Sequence, residues 1–575
     1  MKVVLIYPPP WKIPDQGQMP DAFGDGPPEG FQHTDLDGDF FQMPYGLLTL
    51  AASALEAGHN VKVLNLSAFP WPQVEQVIRA LDADLFGLSC YTANRRGVAI
   101  VAGAIKRLHS EAHVVVGGPH ATALPKEMLT FVPSIDSVVI GEGEETFLEL
   151  LRRLDQGLAL DGMAGLAHRT SDGIVVGPRR DRIRDLDSLP SPHRHFQTHL
   201  FMTSRGCPGE CTFCAKGATW GRLYRAHSVE YVIDALEASL ARLPVRMIQI
   251  KDDTFTTDRK RAIRVCEAIV ERKLNFLWSC DTRADVLDEA VLRAMRMAGC
   301  QRLSLGVESG SPTILRNIRK RVKPEEVLAA TRMAKKVGLQ VRFFMMLGNR
   351  GETASTFKKS LDFVRAAQPH QALFSCLSIY PGTGDFEVLE RHGGIDREVY
   401  FREDFQELKT PFDATEQDTR IMSEWFDQNR GLRHLHRPTV QECKDVLALL
   451  GDLPAAHMDL AGAYYRDGAF DEAELSSEKA LELGYPAPGL AYNYLACIEA
   501  ERGNYDAVQA RLDRAASDPL HPVLVRNVQT VRRWLREGRA RGQRLSLEAR
   551  HDFELLERPE QPSLPGPLAA DFAFW

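Results

Sequence analysis

The chain has little cysteine and no long hydrophobic run. Only 10 of its 575 residues are cysteine, too few and too scattered over that length for a disulfide framework. A structural zinc site usually needs four ligands in two paired sets, and no second CxxC-like pair occurs. No stretch reaches the roughly 18 consecutive apolar residues of a membrane-spanning helix, so none is expected. The first apolar run, Val3–Tyr7, is too short for a secretory signal and ends in prolines. It reads as a buried strand, and the expected compartment is the cytoplasm, whose reducing conditions keep thiols free. Cationic excess is also missing. A net charge of −7 and a pI near 6.2 argue against a nucleic-acid-binding surface. Short basic runs such as Arg179–Arg182 and Arg532-Arg533 read as solvated faces. What remains, 44% hydrophobic and 26% charged, is an ordinary globular composition. The length predicts three or four compact units.

Three of the cysteines nevertheless stand together at CxxxCxxC spacing, in Ser204-Arg205-Gly206-Cys207-Pro208-Gly209-Glu210-Cys211-Thr212-Phe213-Cys214. Three thiolates on one short loop can hold three irons of a cubane cluster and leave the fourth without a protein ligand. Clusters that only carry electrons normally use four cysteines, so an open iron points to chemistry. The loop resembles the signature of radical S-adenosylmethionine (radical SAM) enzymes, including the aromatic Phe213 before the last cysteine. That resemblance implies a [4Fe-4S] cluster on Cys207, Cys211 and Cys214. It implies further that the open iron chelates the amino and carboxylate groups of S-adenosylmethionine, whose one-electron cleavage yields a 5′-deoxyadenosyl radical. Cys90, Cys266, Cys280, Cys300, Cys376, Cys443 and Cys497 show no ligand spacing and read as structural.

Residues 1–155 alternate short apolar strands with amphipathic helices. Candidate strands are Val3–Tyr7, Val61–Leu66, Leu85–Ser89, Val114–Val116 and Ser137–Ile140. One helix is expected to begin at Pro44, a good first-turn residue, and to stop at Gly58. Its Leu47, Leu48, Ala51, Ala54 and Leu55 share one face. Such alternation predicts an α/β fold, a doubly wound parallel sheet that binds ligands at the carboxyl ends of its strands. The turns there are Pro8-Pro9-Pro10, Ser89-Cys90-Tyr91-Thr92, Gly117-Gly118-Pro119-His120 and Gly141-Glu142-Gly143-Glu144. Glycines let backbone approach a ligand closely. Together these turns are similar to those of the cobalamin-binding domain that precedes many radical SAM modules. The resemblance makes Pro9, Tyr91, Thr92, Gly117, Gly118, His120, Gly141, Glu142, Gly143 and Glu144 candidate cobalamin contacts. The DxHxxG loop that brings a histidine to cobalt in other cobalamin proteins is absent. By the same resemblance, Tyr91 and Thr92 are expected near the lower face of cobalt.

Residues 156–197 read as a linker ending in Leu186-Asp187-Ser188-Leu189-Pro190-Ser191-Pro192. Residues 198–385 alternate again, with candidate strands Leu200–Thr203, Met247–Lys251, Phe276–Cys280, Arg302–Gly306, Val341–Leu347 and Leu373–Ile379. Six such units with the cysteine loop after the first match the partial (β/α)6 barrel of radical SAM proteins. Barrel sites lie at the carboxyl ends of strands. By resemblance the SAM-binding candidates are Phe213, Asp252, Asp253, Ser279, Arg283, Glu308 and Ser309. Carboxylates suit an ammonium or ribose diol and Arg283 a carboxylate, although acids at strand ends also cap the following helix.

Residues 386–452 read as a helical connection. In 453–540, Gly468-Ala469-Phe470-Asp471-Glu472-Ala473 and Gly503-Asn504-Tyr505-Asp506-Ala507-Val508 recur at a 35-residue offset. This resembles tetratricopeptide helix pairs, whose period is about 34. It reads as a partner groove or as a helical cap closing the active site. The tail, 541–575, ends in the aromatic Phe572-Ala573-Phe574-Trp575. The Gly-, Pro- and Asp-rich segment Trp11–Gln42 reads as a lid or as disorder.

The whole is identified as a cobalamin-dependent radical SAM enzyme, with a C-methyltransferase as the expected activity. Methyl would pass from S-adenosylmethionine by way of methylcobalamin to an unactivated carbon of a small-molecule or peptide substrate. A flavodoxin or ferredoxin would supply electrons. A cobalamin-dependent cyclase or ring-rearranging enzyme is the alternative. A methylthiotransferase fits poorly, because its second three-cysteine cluster is missing: Cys90 is the only cysteine before Cys207. A non-catalytic binding protein fits poorly with an intact cysteine loop.

Overall fold

The computed structural model describes residues 1–9, 43–67, 69, 71–402, 405, 414–429, 431–515, 521–538 and 544–553. The segment Trp11–Gln42 and the aromatic end Phe572–Trp575, expected as a lid and a docking tail, lie outside them.

Two seven-stranded sheets organise the chain. The first contains β1 (Lys2–Tyr7), β2 (Asn60–Asn65), β3 (Leu85–Ser89), β4 (His113–Gly117), β5 (Ser137–Val139), β6 (Leu166–Thr170) and β7 (Gly173–Val176). Its order is β2-β1-β3-β4-β5-β6-β7. The first five strands run parallel, and β6 and β7 are antiparallel. The order reverses between β1 and β3, where ligands of open α/β sheets bind. The expected strands are all present, and the helix after Pro44 spans Tyr45–Glu56. Val3, Leu5, Leu47, Leu48, Val115, Val139, Phe147 and Leu150 pack on one face of the sheet. Val4, Ile6, Phe86, Leu88, Val114 and Val116 pack on the other. Strands with both faces buried read as continuous apolar runs, as Val3–Tyr7 does.

The stretch 156–197, expected as a linker, is corrected here. Its centre is the β6–β7 hairpin, which extends the sheet through Ala167↔Val176 and His168↔Val175. Only the segment after it connects the halves.

The second sheet follows a short ribbon of β9 (Ser204–Arg205) and β10 (Arg225–Ala226). It comprises β8 (Leu200–Phe201), β11 (Met247–Ile250), β12 (Leu277–Thr282), β13 (Cys300–Glu308), β14 (Gln340–Leu347), β15 (Gln371–Cys376) and β16 (Gly431–Arg433), ordered β16-β15-β14-β13-β12-β11-β8. The first six are parallel and β16 is an antiparallel edge. Because β8 and β16 do not meet, the barrel is partial. Ser228, Asp258, Asp288 and Thr353 cap its helices with side-chain oxygens, which satisfies first-turn N–H groups. Trp278 and Phe343 are fully buried at its centre.

The 35-residue offset corresponds to two helix pairs, Pro454–Arg466 with Phe470–Glu482 and Pro488–Glu501 with Tyr505–Ala515. Their core includes Val245, Met247 and Leu277, which stand at or beside the amino-terminal starts of β11 and β12. Arg296 Nη2 meets Asp459 at 2.5 Å, and Asn275 Nδ2 donates to the Gly484 carbonyl at 2.6 Å. The helices thus close the bottom of the barrel. They do not cap the end that carries the cysteine loop, which corrects the expected helical cap over the active site. Among the described residues no helix is long and apolar enough to cross a membrane.

Candidate functional site

The carboxyl ends of both sheets face one cavity of about 430 Å³. Its floor is the face of the first sheet at the β1/β3 reversal. Leu5, Gly87 and Val115 lie side by side in register and all line it, as do Ser89, Gly117 and Val139 one pleat nearer the strand ends. Leu47, Leu50 and Phe147 form walls from the two flanking helices. A side chain at Gly87 would begin 2.5 Å from Leu5 Cδ2, so glycine keeps the floor low. Gly118 has φ of +102°, and a Cβ there would stand 2.7 Å from the Cys90 carbonyl. Only glycine makes this turn without strain. The opposite wall is Met202, Ala215, Lys216, Thr219, Trp220, Lys251, Asp253, Tyr380 and Pro381. All of these come from the barrel half, several from the segment directly after Cys214.

The cysteine loop is pinned at both ends. Gly206 turns with φ of +85° and donates its N–H to Asp253 Oδ2 at 3.0 Å. Asp253 also pairs with Lys216 at 2.7 Å. On the far side, Thr212 donates to the Ile318 carbonyl at 3.0 Å and accepts from the Asp385 N–H at 3.0 Å. Its hydroxyl donates to Asp385 Oδ2 at 3.0 Å. Between these anchors two of the thiols, those of Cys207 and Cys211, lie around Gly209. The point a Gly209 side chain would occupy is 3.3 Å from Cys207 Sγ, 3.9 Å from Cys211 Sγ and 3.1 Å from Arg283 Nη1. Gly209 N–H donates to Cys207 Sγ at 3.4 Å, and Thr254 Oγ1 lies 3.7 Å from that sulfur. Burial raises the Cys211 thiol, while Lys320 and Arg283 nearby pull the other way. Burial likewise raises Cys214, opposed by Lys216. Among the described residues no three His, Cys, Asp or Glu side chains are arranged around a single ion. A cubane makes a different demand, because each thiolate takes its own iron.

Several candidates from the sequence line the cavity: Tyr91, Thr92, Gly117, Gly118, Gly141, Glu142, Gly143, Glu144 and Asp253. Others stand apart from it. Pro9 is buried, its carbonyl against Gly97. His120 is buried with Nδ1 3.1 Å from Thr92 Oγ1 and its ring against Tyr400. Burial lowers its pKa to about 3, and its Nε2 is buried without a hydrogen-bond partner among the described residues. Asp252 is consumed by Thr203 and Ser204, whose N–H and hydroxyl groups all donate to it at 2.5–3.1 Å. Ser309 bonds Ser360 at 3.0 Å. Phe213 packs with the cluster around Leu124, Ile379 and Tyr400. Arg283 also forms a pair with Asp285 at 2.8 Å. Glu308, in the left-handed region at φ of 67°, pairs with Lys320 at 3.0 Å. Ser279 is buried on β12. Leu5, Gly87, Leu50, Met202, Lys216 and Trp220 were not anticipated from the sequence. Of these only Gly87 carried a signal, a glycine inside an apolar strand, which marks close approach.

A sheet of parallel strands with a glycine-floored cavity, facing a partial barrel whose first loop carries three cysteines, defines a two-cofactor class. The family model "B12 binding domain" matches residues 39–151, and "Radical SAM superfamily" matches residues 201–364. The chain is 33% identical over 353 residues to the uncharacterized methyltransferase PH0819 of Pyrococcus horikoshii, covering 59% of this chain and 77% of that one. It is 28% identical over 368 residues to the anaerobic magnesium-protoporphyrin IX monomethyl ester cyclase of Rubrivivax gelatinosus, covering 60% and 66%. Among solved structures, the cobalamin-dependent S-adenosylmethionine radical enzyme OxsB superposes with a TM-score of 0.59 at 16% identity, covering 90% of this chain and 84% of that one. The chain belongs to the cobalamin-binding radical SAM enzymes.

Proposed function

We propose that this enzyme is a C-methyltransferase that moves a methyl group from S-adenosylmethionine to an unactivated carbon of a small-molecule or peptide substrate. The observation that carries the reading is the single cavity, which has the glycine turns of the first sheet on one side and the residues following the cysteine loop on the other. In this reading Cys207, Cys211 and Cys214 hold the cluster. The convergence of Cys207, Cys211 and Arg283 around Gly209 suits that group. Asp253, Ser279, Arg283 and Glu308 are the groups nearest to hand for the amine, carboxylate and hydroxyls of S-adenosylmethionine. The corrinoid would rest on Gly117 and Gly118, with Tyr91 and Thr92 beneath it. Thr219 Oγ1 is buried on a residue of the cavity wall without a hydrogen-bond partner among the described residues. Such an atom calls for a polar partner, and the amide-rich rim of a corrin supplies one.

When bound, the corrinoid supplies a methyl-carrying metal, and the cluster with S-adenosylmethionine supplies one-electron bond cleavage and hydrogen abstraction. The chain contributes position and exclusion of water. Leu47, Leu50, Phe147, Met202 and Trp220 make the wall largely apolar. Gly206 and Thr212 fix the two ends of the cysteine loop. Electrons would come from a flavodoxin or ferredoxin.

The test is cofactor content after anaerobic purification and reconstitution with iron, sulfide and hydroxocobalamin. About four irons and one corrinoid per chain are expected. Iron without corrinoid would sink the reading. Transfer of label from methyl-labelled S-adenosylmethionine into a product separates methylation from cyclisation, which leaves the label behind.

A further inference from the structure

The two halves of the cavity are joined by four buried charges. Arg205 immediately precedes the Gly206-Cys207 turn. Its Nη2 meets Glu144 Oε1 at 2.7 Å and its Nη1 meets Glu142 Oε1 at 3.4 Å. Arg225, its partner across the β9–β10 ribbon, holds Glu142 through both nitrogens, Nη2 to Oε1 and Nη1 to Oε2, each at 2.8 Å. All four side chains are 3–5% exposed. Glu142 also accepts from the Ile183 N–H at 2.9 Å, and Glu144 from the Thr49 hydroxyl at 3.0 Å. The Arg205 guanidinium lies over the Trp220 ring, 4.7 Å from its centre. Glu142, Glu144 and Trp220 are themselves cavity wall.

The set is neutral, two carboxylates against two guanidiniums. Buried ion pairs add little net stability over apolar packing, and their best-attested use is to fix registry. The registry available here is that of the Gly141–Glu144 turn against the cysteine loop. The guanidinium fork reads two carboxylates in fixed directions, and the backbone of Arg205 continues directly into the loop.

We propose that Arg205 is a positioning residue that sets the distance and orientation between the cysteine loop and the glycine-turn half of the cavity, and so between the two cofactors. This rests on the two-cofactor reading above. It goes beyond that reading by assigning Glu142 and Glu144 to Arg205 and Arg225 rather than to the corrinoid.

The test uses the full-length chain, reconstituted with iron, sulfide and hydroxocobalamin and reduced so that cob(II)alamin and the reduced cluster are both paramagnetic. The readout is the dipolar interaction between the two spins. Wild type should give one narrow distribution. Arg205→Gln should shift or broaden it while iron and corrinoid contents stay at wild-type values, and Arg205→Lys should recover it in part. An unchanged distribution in Arg205→Gln at full cofactor content overturns the proposal. If Arg205→Gln does not fold, Glu144→Gln decides on the same readout, since it keeps the Arg225–Glu142 pair and the side-chain shape. Wild-type protein that takes up iron but no corrinoid overturns the two-cofactor reading, and this inference with it.

Discussion

Both seven-stranded sheets aim the carboxyl ends of their parallel strands at the same cavity, but they furnish it differently. The first sheet brings absence of side chain: Gly87, Gly117, Gly118, Gly141 and Gly143, among apolar neighbours. Its two acids, Glu142 and Glu144, are already taken by arginines of the other half. The barrel brings functional groups: Asp253 with Lys216 in the cavity wall, and, outside that wall, the three thiols of the cysteine loop, Glu308 with Lys320, and Arg283. One half makes room and the other supplies chemistry. A sheet that cradles a large ligand must clear its floor, whereas a site that holds a reactive centre must fix charges and thiols around it.

That division is broken most severely from the barrel side. Cys211→Ala is expected to lose the cluster and to reduce 5′-deoxyadenosine formation to background. Corrinoid uptake should persist, because no cysteine is among the described residues that line the cavity. Iron assay, corrinoid absorbance and product chromatography on one preparation check this. Loss of both cofactors together would show that the halves are not separable.

The next effect concerns what the barrel end carries beyond its site. Glu352, in the turn after β14, is fully buried, with Oε1 unpartnered among the described residues. Burial raises its pKa to about 7, opposed by hydrogen bonds from Asn349 and Gly348. Its folded pKa lies above its unfolded value of 4.5. The folded state therefore binds the proton more tightly, and stability falls as pH rises from about 4.5 towards 7. The span amounts to on the order of 3 kcal/mol. Glu352→Gln should remove that fall, leaving the variant more stable than wild type at pH 8 and similar at pH 4. Thermal melts across this range measure it, and a parallel pH profile in both proteins would refute the assignment.

A smaller and more selective effect belongs to the first sheet. At Gly117 an added Cβ meets nothing closer than 3.7 Å, so Gly117→Leu should fold and fill part of the cavity. Overpacking costs about 1–3 kcal/mol, which corresponds to about 5- to 150-fold weaker corrinoid affinity. Titration with hydroxocobalamin reads this directly. Iron content should not change.

How far the sequence disclosed this follows the same division. The thiols were legible because CxxxCxxC spacing is itself the geometry. The strand–helix order was legible because buried parallel strands read as apolar runs. The glycine turns were legible as turns, but the partners of their acids were not. Glu142 and Glu144 sit in a ligand-like motif, and only the fold brings Arg205 and Arg225 to them from about 60 and 80 residues away. Asp252 failed for the same reason: two adjacent acids at a strand end look alike, yet one faces the cavity and the other is satisfied by Thr203 and Ser204. The β6–β7 hairpin did carry a signal, Asp172-Gly173 between short apolar runs, masked by the charged residues around it. Which end of the barrel the repeat helices would cover had no local signature at all.

The least effect is expected at the rim between the halves. Arg397 reaches Glu127 of the first half at 3.4 Å, with 44% and 18% of the side chains exposed, and Arg397 also holds Glu390 at 2.5 Å. An exposed pair of this kind contributes about 0–1 kcal/mol, whereas removing one partner of a buried pair costs about 3–5 kcal/mol. Glu127→Gln should therefore shift the melting temperature hardly at all and leave the dipolar interaction between the two spins as in wild type. Both contacts join the same two halves, but only the buried one, beside the cysteine loop, lies where water cannot screen it. If Glu127→Gln disturbed the spin–spin distribution as much as Arg205→Gln, registry would belong to the whole interface rather than to the Arg205 network. If it did not, the position of the charge rather than its presence would be what sets the spacing.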